Sequence, residues 1–206
     1  MFNHIKYIFF DLGSTIVDES ECYKIRYKEA VECLNITADE FENKVIEFSR
    51  LNKRGDHEAV KYYGIPLPKW HKEAEKLYDG AELVLKALTG KGYKLGVIAN
   101  QSLGTNKRLE KWGIAQYFDL VLASAEEGLA KPDIKIFKRA LNMAQYLPEN
   151  AIMIGDRLDN DIAPAKAIGM KTIWIKQGLN GLAIVKSEKE KPDYVISHLP
   201  ELLNFF

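Results

Sequence analysis

Residues 5–15 read Ile-Lys-Tyr-Ile-Phe-Phe-Asp-Leu-Gly-Ser-Thr, an apolar run that stops abruptly at Asp11 and a cluster of turn-forming residues. A short, continuous apolar run bounded by turn residues is the pattern of a strand buried on both faces of a parallel sheet. The pattern returns at residues 94–99 (KLGVIA), 119–123 (DLVLA), 151–154 (AIMI) and 171–175 (KTIWI), with a weaker sixth run at 193–196 (DYVI). Helical periodicity fills the gaps. Phe137, Ala140, Leu141 and Ala144 recur at i, i+3, i+4 and i+7, and residues 81–88 carry an apolar helical face. Strands alternating with helices predict an α/β fold: a Rossmann-like, doubly wound parallel sheet with both faces covered.

Residues 20–77 break the alternation. They contain no convincing strand, and their patterns are helical: Tyr23, Tyr27, Val31 and Leu34, then Phe41, Val45 and Phe48. Thr37-Ala38-Asp39-Glu40 has the capping-box spacing of a new helix start. Gly64-Ile65-Pro66-Leu67-Pro68 interrupts, and a helix is expected to resume over 70–78. The expected organisation is a core made of residues 1–19 and 78–206, with a small all-helical insertion at 20–77. The sign-alternating run at 186–191 (KSEKEK) is a solvated loop.

Composition narrows the function classes. The 206 residues carry 29 Lys+Arg and 29 Asp+Glu, with 47% hydrophobic residues, as in ordinary globular chains rather than disordered ones. A balanced charge offers no electrostatic footprint for nucleic acid or an anionic membrane. No apolar run approaches the ~18 residues needed to span a bilayer. The opening MFNHIKYIFFD meets an Asp too early for a secretory signal. Cys22 and Cys33 sit among polar residues at helical spacing and read as free thiols of a reducing cytoplasm. His4, His57, His71 and His198 show no metal-ligand spacing. Any function must sit in a local site.

In a parallel sheet that site lies beyond the carboxyl ends of the strands. The first predicted strand ends at Asp11 and the second at Asn100; Lys131-Pro132 lies in the loop after the third, and the fourth ends at Gly155-Asp156, with Asp159 and Asp161 close behind. Carboxylates converging on one crevice repel one another unless a cation joins them. Oxygen-only ligands suit Mg²⁺, which takes a few carboxylates together with waters and a substrate phosphate. Taken singly, each residue also has a bland reading: Asp159 in particular suits a helix cap.

The ordered set Asp11-Leu12-Gly13-Ser14-Thr15, Asn100, Lys131-Pro132-Asp133 and Gly155-Asp156-Arg157-Leu158-Asp159-Asn160-Asp161 resembles the four motifs of the haloacid dehalogenase superfamily. The helical insertion resembles that family's small cap domain. The resemblance implies a Mg²⁺-dependent hydrolase of a small phosphorylated metabolite. Asp11 would be the nucleophile that becomes an aspartyl phosphate. Asp11, Asp156 and the Gly13 carbonyl would hold the metal, with Asp161 as an outer acid. Lys131 would stabilise Asp11 and the transferring group. Asn100 would offer its backbone N–H, and its side chain, to the phosphate. A cytoplasmic monomer or weak dimer is expected.

Two positions depart from that pattern. Gly13 stands where phosphatase members carry a second Asp that protonates the leaving oxygen, and Ala99 where they carry a phosphate-binding Ser or Thr. Loss of a general acid–base costs ~10²–10⁴-fold in rate. Asp18 and Glu19 are the nearest replacements. The alternatives are a degenerate member that binds a phosphorylated ligand or a partner without turnover, and a phosphonatase- or dehalogenase-like member. Trp70, Tyr62, Tyr63 and His71 read either as a specificity pocket or as the insertion's own core. Arg157 reads as a phosphate contact or a surface ion pair, and Trp174 as core packing.

Overall fold

In the computed structural model, which describes residues 4–206, the apolar runs become strands. Residues 1–3, the start of the expected core segment 1–19 and of the opening run, lie outside the described residues. The strands are β1 (Tyr7–Phe10), β2 (Val17–Asp18), β3 (Lys76–Leu77), β4 (Lys94–Ala99), β5 (Leu120–Ala123), β6 (Ala151–Gly155), β7 (Lys171–Ile175) and β8 (Tyr194–Ile196). Six of them form one parallel sheet in the order β5-β4-β1-β6-β7-β8.

β1 is buried along its whole length because it is central and covered on both faces. Alternation along the strand divides its side chains between two cores. Ile8 and Phe10 join Leu95, Val97, Ile152 and Ile154 beneath helix Ala81–Gly90, which contributes Val84, Leu85 and Leu88. Tyr7 and Phe9 join Ile98, Leu122 and Met153 beneath helix Ile134–Ala144, which contributes Ile136, Phe137 and Leu141. Each such side chain stabilises the fold by about 1.5–3 kcal/mol on burial. Phe10 stands in register with Val97 on one side and Ile154 on the other, so the chain leaves β1, β4 and β6 at one edge. The strand order reverses beside β1, and that reversal opens a crevice at the carboxyl ends.

Helices α1 (Ser20–Val31), α2 (Ala38–Arg50) and α3 (Gly55–Tyr63) follow β2 and have a small core of their own, built on Tyr27, Ala30, Phe41, Val45, Ala59 and Val60. Thr37 caps α2 through the expected capping box: its hydroxyl accepts from the Glu40 N–H at 3.2 Å, and the Glu40 carboxylate accepts from the Thr37 N–H at 2.7 Å. The helix expected over 70–78 is absent. That stretch holds one 3₁₀ turn, Lys72–Ala74, and then β3, which pairs antiparallel with β2. Pro66 and Pro68 each remove a backbone donor just upstream. The segment 20–77 is therefore not wholly helical: its last residues close a two-strand flap beside the crevice.

Candidate active site

Loops leaving β1, β4, β5, β6 and β7 meet α1 and the start of α3 around a cavity of about 590 Å³. Lys131 is buried and stands between two carboxylates, its Nζ donating to Asp11 Oδ1 at 2.7 Å and to Asp161 Oδ1 at 2.6 Å. Burial opposes the ammonium charge, but Asp11 and Asp161 outweigh it and hold the Lys131 pKa above its ordinary value. The peptide between Lys131 and Pro132 is cis. The Asn100 side chain grips the lysine's own backbone: Nδ2 donates to Lys131 O at 2.8 Å, and Oδ1 accepts from Lys131 N at 2.8 Å. Its amide is thus engaged in placing Lys131, a role beyond the expected phosphate contact, and Nδ2 keeps a second N–H.

Asp161 is fully buried within a single π-helical turn, Leu158–Ile162. Its Oδ2 accepts from the Arg157 N–H at 3.0 Å. Gly155 permits this approach, since a Cβ there would lie 2.4 Å from Asp161 Cγ. Asp159 does not cap the turn; its carboxylate lies outside and takes both Nε and Nη2 of Arg157, at 3.0 and 2.6 Å. Arg157 is thereby an ion-paired residue at the cavity's rim.

Asp156 is buried and held at two points. Its backbone carbonyl accepts from Trp174 Nε1 at 2.7 Å, and its Oδ2 from Asn180 Nδ2 at 2.6 Å. Oδ1 is buried with no hydrogen-bond partner. Asp11, Asp156 and Asp161 each bring one oxygen within 4.8 Å of the others. Burial first, then the charges of Asp11 and Asp161, pushes the Asp156 carboxyl well above the usual carboxylate range. Burial likewise raises Asp161 to about 6, against the opposing pull of Lys131. An orphaned carboxylate oxygen among hard oxygen donors fits a small divalent cation such as Mg²⁺.

The turn after Asp11 places a further acid. Leu12 O accepts from Val17 N at 2.8 Å, and Ser14 is held in the left-handed region at φ 53°. Ser14 Oγ donates to Glu19 Oε2 at 2.8 Å. Glu19 lines the cavity, and burial pushes its carboxyl up to about 7. Asp18, the other nearby acid, is occupied elsewhere: it accepts from Ser20 N at 2.9 Å and pairs with Lys76 at 3.5 Å.

The four residues read either as a pocket or as the insertion's own core take different places. Trp70 does line the cavity, but Tyr62 is exposed, Tyr63 stacks on Phe41, and His71 is held by Glu29 and Glu73. The lining comes instead from Tyr23, Arg26, Arg54 and His57. Arg26 is ion-paired to Asp56 in a buried contact and lies over the Trp70 ring at 4.5 Å, while Tyr23 meets that ring edge-on at 5.0 Å.

A haloacid dehalogenase-like hydrolase family profile matches residues 8–175, which include every cavity-lining residue named above except Asn180. The chain belongs to this hydrolase family. It is 34% identical to a glyceraldehyde 3-phosphate phosphatase of Pyrococcus furiosus, covering 97% of this chain and 92% of that protein. It is also 34% identical to the enzyme of that name from Methanocaldococcus jannaschii, covering 97% and 96%. A crystal structure of a HAD phosphatase from Thermococcus onnurineus superposes with a TM-score of 0.66 at 25% identity, covering 98% and 97%.

Within the family pattern, the two departures have distinct surroundings. Ala99 is fully buried at the end of β4, opposite Ala123. Gly13 lies beside Glu19. Among the described residues, no helix is long and apolar enough to cross a membrane. Asn180 escaped the sequence reading because no motif marks the loop after β7. Tyr23 was legible only as one position of a helical stripe.

Proposed function

We propose that the protein is a Mg²⁺-dependent phosphatase of a small phosphorylated metabolite, acting through an aspartyl phosphate on Asp11. The orphaned Asp156 Oδ1, buried beside Asp11 and Asp161, carries the reading. Three acids so placed outnumber the single ammonium of Lys131 and are costly without a further cation. Asp11, Asp156, the Gly13 carbonyl and Asp161, directly or through water, would hold the ion. When bound, it supplies charge neutralisation between an anionic nucleophile and an anionic phosphate.

Asp11 attacks phosphorus in line with the departing ester oxygen, and water then attacks the acyl phosphate. Lys131 orients Asp11 through its 2.7 Å contact and stabilises charge on the transferring group. Asn100 fixes Lys131. The segment 20–77 serves as a cap over the core of 1–19 and 78–206, excluding water and shaping the cavity with Tyr23, Trp70 and Arg54. At about 590 Å³ the cavity lies in the ~300–1,000 Å³ range of small-molecule sites.

The names of the relatives from Pyrococcus and Methanocaldococcus make glyceraldehyde 3-phosphate the first substrate to test. Phosphate release from it and from a panel of small monoesters, with Mg²⁺ and with chelator, checks the proposal. Metal-dependent release with the highest kcat/KM for glyceraldehyde 3-phosphate is expected. Inertness toward every ester would favour a member that binds without turnover.

A further inference from the structure

An alkoxide leaving a phosphate ester needs a proton, and water attacking the acyl phosphate must lose one. This inference rests on the phosphatase reading and asks which group handles both. The carboxyls lining the cavity other than Glu19 are each held by a cation or a side-chain amide. Lys131 holds Asp11 and Asp161, Asn180 holds Asp156, and Arg26 holds Asp56. Glu19 lines the cavity too, yet among the described residues it pairs with no cation; the Ser14 hydroxyl donates to it.

Its position is the telling feature. A Cβ built on Gly13 would lie 2.6 Å from Glu19 Oε1, and 3.0 Å from both its Cδ and Oε2. Oε1 alone stands near the distance at which an aspartate's own carboxylate oxygen lies from its Cβ; the carboxyl carbon and Oε2 lie farther out. The Glu19 carboxyl therefore crowds the space that the first atom of any side chain at position 13 would take, with one oxygen brought to it from the other end of the flap turn. The Ser14 hydroxyl fixes Oε2, and Oε1 is the oxygen nearest Gly13.

We propose that Glu19 is the general acid–base of this enzyme, doing from the flap what Gly13 lacks the side chain to do. The Glu19 carboxylic acid gives its proton to the ester oxygen as the P–O bond breaks and the bond from Asp11 to phosphorus forms. The resulting carboxylate takes a proton from the water that attacks the aspartyl phosphate. Inorganic phosphate leaves, and Asp11 and protonated Glu19 are restored. A side chain at position 13 and the Glu19 carboxyl compete for one volume, so Gly13→Asp alone must displace Glu19 rather than simply add an acid.

The test is single-turnover alcohol release from an aryl and an alkyl phosphate with Mg²⁺, comparing the unaltered enzyme with Glu19→Gln, Glu19→Ala and Glu19→Ala/Gly13→Asp. Glu19→Gln is expected to lower alkyl release by about 10²-fold or more relative to aryl release, because an aryloxide departs without a proton. The double variant is expected to regain on the order of tenfold or more of the alkyl rate that Glu19→Ala loses. Equal effects on both esters, or a double variant no better than Glu19→Ala, would overturn the role of Glu19 while leaving the phosphatase intact. An unaltered enzyme that releases neither alcohol would remove the phosphatase reading, and this assignment with it.

Discussion

The side-chain amide of Asn100 and the backbone of Lys131 are joined by two reciprocal hydrogen bonds, both 2.8 Å long. The loop after β5 is thereby tied to the end of β4, and the lysine ammonium is aimed between Asp11 and Asp161. Asn100→Ala removes both bonds and strands a backbone N–H and C=O, a loss of about 1–3 kcal/mol for each buried group left unsatisfied. Misplacing Lys131 by an ångström is expected to lower kcat by about 10²-fold. Urea unfolding and initial rates on one ester check both; an unchanged kcat in a destabilised variant would confine Asn100 to a structural role.

Metal binding should be visible without catalysis. Mg²⁺ at about 100 times its Kd is expected to stabilise the protein by about 2.7 kcal/mol. Asp156→Asn should abolish that shift. Without metal, the same variant is expected to match or exceed the parent in stability, since it removes one of three mutually repelling buried carboxylates. Thermal unfolding with Mg²⁺ and with chelator reads both signs; an equal Mg²⁺ shift in the variant would take Asp156 out of the metal site.

The ion pair between Arg26 and Asp56 ties α1 to α3, with each side chain 8% exposed. Asp56→Ala leaves a buried guanidinium uncompensated, and its Nε already lacks a partner. A loss of about 3–5 kcal/mol is expected. Arg26→Met/Asp56→Ala should be less damaging than Asp56→Ala alone. Chemical denaturation of the two variants decides it, and a double variant weaker than the single would contradict the argument.

Asp193 ties β8 to β7. It accepts from Thr172 N and Oγ1, both at 2.9 Å, and from Lys171 Nζ at 3.0 Å. Burial works against the carboxylate, but these donors outweigh it and hold the pKa below its ordinary 3.8. A depressed carboxyl contributes stability above its unfolded pKa and loses it as pH falls through the folded value. Solvent screens this surface carboxylate, so Asp193→Asn should cost up to about 1 kcal/mol near neutral pH, with the gap to the parent narrowing below about pH 4. A pH-independent gap would show that the charge is not what matters.

Much of this was legible in the sequence, for reasons particular residues make plain. Lys94–Ala99 and Lys171–Ile175 are strands over the very residues of their apolar runs, because a strand buried on both faces must be apolar throughout. The residues singled out at strand ends, Asp11, Asn100, Lys131 and Asp156, line one cavity because every strand of the sheet points the same way. Two-residue strands such as Lys76–Leu77 carry no periodicity, so the second strand of the flap was not legible. Glu19 was one of two neighbouring acids, and only the path of the turn through Ser14 separates it from Asp18. Arg26 and Asp56 lie thirty residues apart, and their pairing is decided by the packing of α1 on α3.

The central claim is covalent catalysis by Asp11 with a metal beside it. Hydrolysis of an activated aryl phosphate by the purified protein, with Mg²⁺ and with chelator, alongside Asp11→Asn, tests it most directly. The expected result is turnover that needs Mg²⁺ and vanishes in Asp11→Asn while the variant's thermal unfolding stays close to the parent's. Turnover that survives the chelator, or a fully active Asp11→Asn, would contradict the account.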